Sequence, residues 1–202
     1  MLTVGLTGGI ASGKTQVSTM LAALGASIVD TDVIARDVVA PGSDGLQQII
    51  AKFGDQFLLP DGALDRAALR EYVFQDPSAR KGLESITHPL IGAEVMRGIA
   101  EADGNYTVVV VPLLTGSRLR QVMDRVLVVD CDAGLQMRRL LARDGISPQL
   151  ALSMLAAQAS RDSRLTIADD VVNNSASLSE LQTRCDALHR FYDQLSSGTD
   201  AK

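Results

Sequence analysis

The residues from Gly8 to Thr15 read G-G-I-A-S-G-K-T and fit the pattern G-x-x-x-x-G-K-[ST]. Phosphate binding calls for each part of that pattern. Glycines let backbone N–H groups converge on phosphate oxygens without interference from a Cβ, and the N-terminus of a following helix adds a favourable dipole. The lysine reaches the β- and γ-phosphates, and the threonine hydroxyl can ligate Mg²⁺. The nucleotide site on this reading takes in Gly8, Gly9, Ala11, Ser12, Gly13, Lys14, Thr15 and the adjoining Gln16. Ala11 falls in the variable stretch and leaves the pattern intact.

A phosphate loop alone does not separate a GTPase, an ATPase and a small-molecule kinase. No N-K-x-D guanine signature is present, which argues against a GTPase. A second apolar run ends in Asp30-Thr31-Asp32, and these carboxylates belong at the carboxyl edge of a sheet, near the loop. Asp32 is a candidate to orient or deprotonate an acceptor hydroxyl, and Asp30 to hold Mg²⁺ through water. The alternative is that one of the two only caps the following helix. Arg138, Arg139 and Arg143 fall on one predicted helix, with Arg161 and Arg164 after the next, and positions 139 and 143 share a face. Phosphoryl transfer needs mobile positive charge over the triphosphate, so this arginine-rich helix pair suits a lid. Singly, each arginine also reads as a solvated surface charge.

The elements that must position these groups follow from periodicity. Leu2–Thr7, Ser27–Asp30, Thr107–Val111, Arg125–Val129 and Asp170–Val172 read as strands, and the unalternating Thr107–Val111 as one covered on both faces. Val17, Met20, Leu21 and Leu24 recur at helical spacing, with Gly25 as the stop. Ser147-Pro148 starts a helix as N-cap and first turn, and Ser177 with Glu180 makes a capping box for a helix reaching about Leu195. Asp76-Pro77 starts another, which His88-Pro89 is expected to interrupt. Strands alternating with helices imply a parallel sheet. The helical interval of about residues 42–100 exceeds a simple crossover and reads as an appended helical subdomain.

The 202 residues carry 46% apolar side chains but only 3% aromatic ones, so the core must be aliphatic, and the formal charge of −5 argues against a broad nucleic-acid surface. Cys131 and Cys185 form no CxxC pair and read as free thiols of a reducing compartment. There is no basic segment before an apolar stretch at the start and no apolar run of membrane length, so the expectation is a cytoplasmic protein that neither enters a membrane nor needs an obligate protein partner.

Taken in order, these motifs resemble the dephospho-coenzyme A kinase family over nearly the whole chain. The resemblance rests on Leu6–Thr15, Asp30-Thr-Asp-Val-Ile-Ala-Arg36, His88-Pro-Leu-Ile91 and Val111-Pro-Leu-Leu114. It continues through Arg143-Asp144, Gln158 with Arg161, and Ala168-Asp169-Asp170 with Asn174. The family implies a three-layer α/β P-loop kinase fold with a five-stranded parallel sheet. It also implies three parts: a nucleotide-binding core (about 1–41, 101–131 and 168–202), a helical acceptor-binding insertion (about 42–100) and a helical lid (about 132–167). The implied reaction moves a phosphoryl group from ATP, with Mg²⁺, to the ribose 3′-hydroxyl of dephospho-coenzyme A. By the same resemblance Asp32 is the base, Lys14 and Thr15 handle phosphate and metal, and Arg143 reaches over ATP. Asn174 would sit near the adenine, while Arg36, His88, Leu113 and Arg161 would serve the acceptor, with Asp32. For His88-Pro89 a purely conformational reading, one helix ending and another starting, stands beside this. Three positions depart from the family's usual residues: Ala11 for Gly, Thr31 for Ala, and Gly116 for a Glu that often follows P-L-L. Another small-molecule or nucleotide kinase, or a non-catalytic nucleotide-binding regulator, are the other readings of the same scaffold.

Overall fold

The β-branched runs become the strands of one sheet. In this computed structural model, which describes residues 1–198, they are β1 (Leu2–Gly8), β2 (Ser27–Asp30), β3 (Tyr106–Val110), β4 (Arg125–Asp130) and β5 (Asp170–Asn173). Each neighbouring pair is parallel, in the order β2-β3-β1-β4-β5. β3 is buried at every position, which is why its sequence does not alternate. It stops at Val110 rather than Val111, although Val111 N–H still donates to Leu6 O at 2.9 Å.

Helices α1 (Lys14–Ala23) and α9 (Leu178–Ser196) bring Val17, Met20, Leu21, Leu181, Cys185 and Tyr192 into one core with Val4, Leu6, Val108, Val110, Leu127 and Val129. Each fully buried Val or Leu contributes about 1.5–3 kcal/mol, so a core without tryptophan suffices. The alternate strand residues Val109, Val126 and Val128 are also buried, and Gly5 faces Leu114 and Met123 on that side. Helices α6 (Ala133–Asp144), α7 (Pro148–Ala156) and α8 (Arg161–Thr166) fill the stretch between β4 and β5. α7 starts as its sequence predicts: Ser147 Oγ accepts from Leu150 N–H at 3.3 Å and Pro148 opens the first turn. The capping box of Ser177 and Glu180 is formed, and its hydrogen bonds hold the Glu180 carboxyl below the usual range.

By its contacts the chain divides into two compact units, Met1–Asp30 with Glu101 onward, and Thr31–Ala100. The second contains α2 (Thr31–Asp37), α3 (Asp44–Phe53), α4 (Arg66–Gln75) and α5 (Pro77–Ala100) around a core of Val39, Ile49, Phe57, Leu69, Val73 and Ile86. Asp76 Oδ1 accepts from Ser78 N–H at 2.7 Å and starts α5 as expected. The interruption expected at His88-Pro89 does not occur, since α5 runs unbroken through Pro89. Proline removes one helical hydrogen bond and crowds the preceding turn. Here His88 and Pro89 face solvent, while Leu83, Ile86 and Leu90 form an apolar stripe that packs into the core on both sides of the proline and carries the helix across.

Candidate active site

β1 delivers the chain into the glycine turn at Gly8, and α1 leaves it at Lys14. Gly13 is the hinge, with φ 99° and ψ 27°, a left-handed conformation that glycine adopts without penalty. The turn is closed by Ser12 N–H donating to Gly9 O at 3.1 Å. Lys14 folds back over it, its ammonium donating to Gly8 O at 2.9 Å and Gly9 O at 3.1 Å. Thr15 and Gln16 are exposed on the first turn of α1. Ala11 has φ 56° and is the one non-glycine residue with positive φ among the described residues. It completes the pattern, but not without cost: a left-handed L-residue is disfavoured by about 1–2 kcal/mol. Ser12 Oγ is buried without a hydrogen-bond partner inside the loop.

Residues far along the chain brace this turn. Asn174, just beyond β5 and buried, donates from Nδ2 to Ser12 O at 2.8 Å. Arg139 of α6 donates from Nη2 to Asn174 O at 3.1 Å, while its Nη1 is buried with no partner and lies beside Gly13. Arg164 of α8 approaches Gly9, and burial lowers its pKa against the opposing pull of Asp130. Gln136 and Gln158 bond the backbone of Ile10 from α6 and from the end of α7. A positively charged, partly buried enclosure around N–H donors at a helix N-terminus suits an anion such as a phosphate group.

The dephospho-CoA kinase family model matches residues 2–180. The chain belongs to the dephospho-CoA kinase family. A dephospho-CoA kinase of Burkholderia thailandensis is 52% identical over 194 residues, 95% of this chain and 96% of that one. Among solved structures, dephospho-CoA kinase from Campylobacter jejuni covers 98% of both chains at 25% identity with a TM-score of 0.71. Shikimate kinase from Acinetobacter baumannii, at 16% identity and a TM-score of 0.53, shares the fold alone. The P-loop kinase fold and the family implied by the motifs therefore stand, and with them a phosphotransferase.

Within this kinase the remaining site residues fall into two groups. Gly8 to Gln16, Asp30, Leu113, Arg143, Arg161 and Asn174 belong to the first unit; Asp32, Arg36 and His88 belong to the second. Asp30 ends β2, and Asp32 stands exposed in the first turn of α2. Arg36 is exposed and its carbonyl accepts from Arg66 Nη2 at 2.9 Å. His88 is exposed on α5, and Leu113 on the turn after β3. Arg143 forms a bidentate pair with its neighbour Asp144, at 2.6 and 2.9 Å. That pair raises the Arg143 pKa and holds the Asp144 carboxyl below its usual range. Arg139, one turn earlier, is the arginine of α6 that reaches the loop's supports. Arg161 forms a bidentate pair with Asp130 at the end of β4, at 2.8 and 2.7 Å, and the Asp130 side chain is only 8% exposed. Sequence reasoning placed Arg139 in the lid but gave it no site role, and it missed Asp130, Gln136 and the brace from Gln158. Their signal is weak because a lone Gln or Asp has no spacing pattern. No helix among the described residues is long and apolar enough to cross a membrane.

Proposed function

We propose that the chain moves the γ-phosphoryl group of ATP to the ribose 3′-hydroxyl of dephospho-coenzyme A, giving coenzyme A and ADP, the last step of coenzyme A synthesis. The observation that carries this reading is the braced Gly8–Thr15 loop in a chain of this family. Lys14 exchanges the carbonyls of Gly8 and Gly9 for β- and γ-phosphate oxygens, an exchange of partners that costs little. The N–H groups at the start of α1 take further phosphate oxygens. Asp32 accepts the proton of the 3′-hydroxyl as its oxygen bonds to the γ-phosphorus. The bond from that phosphorus to the bridging oxygen breaks, and ADP leaves with the electron pair. Arg143 and Arg139 supply positive charge from α6. Asn174 lies toward the adenine, and Arg36, His88, Leu113 and Arg161 serve the acceptor.

Thr15 and Asp30 offer hard oxygen donors that suit Mg²⁺. Among the described residues no cluster of three or more His, Cys, Asp or Glu side chains could hold a metal by itself, in keeping with an ion that arrives on the triphosphate. When bound, it would neutralise charge across the β- and γ-phosphates. In domain terms, we read residues of about 1–41, 101–131 and 168–202 as the nucleotide core, about 42–100 as the acceptor-binding insertion and about 132–167 as the lid; the contact boundary between the two compact units falls at Asp30/Thr31 rather than near residue 41. The buried free thiols Cys131 and Cys185 are in keeping with a reducing, cytoplasmic setting.

The test is ADP release from Mg-ATP with dephospho-coenzyme A, adenosine or shikimate in parallel. Release with dephospho-coenzyme A alone, with coenzyme A confirmed by mass, is expected; release with another acceptor, or none, overturns the reading. D32N is expected to keep ATP affinity and lower kcat by about 10²–10⁴-fold.

A further inference from the structure

Ile10 lies in the phosphate loop with an apolar side chain, yet both of its backbone polar groups are held by glutamines more than a hundred positions away. Its N–H donates to Gln158 Oε1 at 2.8 Å. Its carbonyl accepts from Gln136 Nε2 at 2.9 Å. A glutamine amide carries a donor and an acceptor, and each of these two turns the matching half toward Ile10. Gln136 is 6% exposed and reaches Ile10 across Gly9, where a Cβ would lie 2.3 Å from its Nε2. The close approach needs a glycine at that position. Gln158 is anchored at the end of α7, its own N–H donating to Leu155 O at 3.3 Å. The next loop residue, Ala11, is held left-handed at φ 56°. A loop that contains a disfavoured backbone conformation keeps its shape only if its neighbours restrain it.

We propose that Gln136 and Gln158 are positioning residues that set the shape of the phosphate loop through the backbone of Ile10, and so tie ATP binding to the placement of helices α6 and α7. The proposal rests on reading Gly8–Thr15 as the ATP site. Neither glutamine needs to touch the nucleotide. Withdrawal of Gln158 releases the Ile10 N–H and lets the segment Ile10–Ser12 relax from the conformation that presents its amides. By linkage, a nucleotide that holds the loop in that conformation favours the bound position of α7 to the same degree.

The test compares wild type with Q158A, Q136L and Q158E, by hydrogen exchange at individual loop amides and by kinetics with each substrate varied. Q158A is expected to speed exchange at the Ile10 amide and raise KM for ATP, each about tenfold, the scale of one lost buried hydrogen bond. KM for dephospho-coenzyme A should stay within about twofold, because the clamp touches only the loop. Q136L keeps the buried volume and should raise KM for ATP in the same way. Combining it with Q158A should add less than the sum, since both act on one residue. Q158E keeps an acceptor for the Ile10 N–H and should restore protection of that amide, which a general loss of packing would not allow. Unchanged Ile10 exchange in Q158A, or equal rises in both KM values with a lower melting temperature in Q158A and Q136L alike, overturns the proposal. In wild type, ATP should slow exchange at Gly13 and Lys14. If it does not, the ATP site reading fails and takes the proposal with it. If ATP protects the loop and Q158A leaves it untouched, the proposal fails alone.

Discussion

Asn174 Nδ2 lies 2.1 Å from where a Cβ on Gly13 would stand, and from there it donates to Ser12 O at 2.8 Å. The two residues meet only because Gly13 has no side chain. Gly13 is thus required twice, once for its φ of 99° and once for the space its neighbour occupies. G13A is expected to weaken ATP binding by about 10²-fold, because the loop amides are pushed out of register. Removing the clashing amide should return part of the loss, so G13A/N174A should bind ATP more tightly than G13A. Calorimetric titration with ATP checks this. A double variant no better than G13A would show that the backbone conformation alone sets the requirement.

Arg139 and Arg143 are one turn apart on α6 but have different partners. Arg139 bonds the carbonyl of Asn174 and keeps a buried, unpaired Nη1 beside the loop, whereas Arg143 is tied to Asp144 at the exposed helix end. R139A should raise KM for ATP by about tenfold or more, the value of a charge-assisted hydrogen bond in a partly dry site. Arg143 must first leave Asp144 to reach the nucleotide, so R143A should act mainly on kcat. Steady-state kinetics with ATP varied separates the two. The reverse order would mean that Arg143, not Arg139, holds the bound nucleotide before transfer.

Ala11 gives a stability prediction of opposite sign. Its φ of 56° is one that glycine reaches freely. A11G should relieve about 1 kcal/mol of backbone strain, less the extra entropy glycine loses on folding. For a chain this size the melting temperature should rise by about 1–3 °C. Differential scanning calorimetry measures it, and a fall would mean that the entropy term outweighs the strain.

Buried thiols make the fold sensitive to alkali. Burial, with a contribution from Asp186, pushes the Cys185 thiol from its ordinary 9.0 up to about 11. Burial also raises Cys131, where Arg139 opposes the shift and Asp130 and Asp132 add to it. The neutral thiol is the form the fold accepts. The associated stability is therefore fully present below about pH 9 and is lost as pH rises toward about 11. Buried Tyr106 and Tyr192 shift in the same direction. The melting temperature should fall across this window, and C185A should flatten part of the fall. Native protein at pH 8 should react slowly with iodoacetamide, and unfolded protein quickly.

The sequence by itself determined the elements and the loop, because those depend on neighbours a few positions apart. Valine-rich runs without alternation encode covered strands, Ser147-Pro148 and Ser177 with Glu180 encode helix starts, and G-x-x-x-x-G-K-T encodes a phosphate turn wherever a strand feeds a helix. Tertiary structure decided what local chemistry could not. The stripe of Leu83, Ile86 and Leu90 carries α5 through Pro89, against the local preference of proline. Asp130 claims Arg161 across 31 positions, Gln136 and Gln158 reach Ile10, and Asn174 reaches Ser12 across 162. These contacts join residues that only the parallel order of the sheet brings to one edge. A single Gln, Asn or Asp looks the same in sequence whether it faces water or braces a loop, so its role follows from packing.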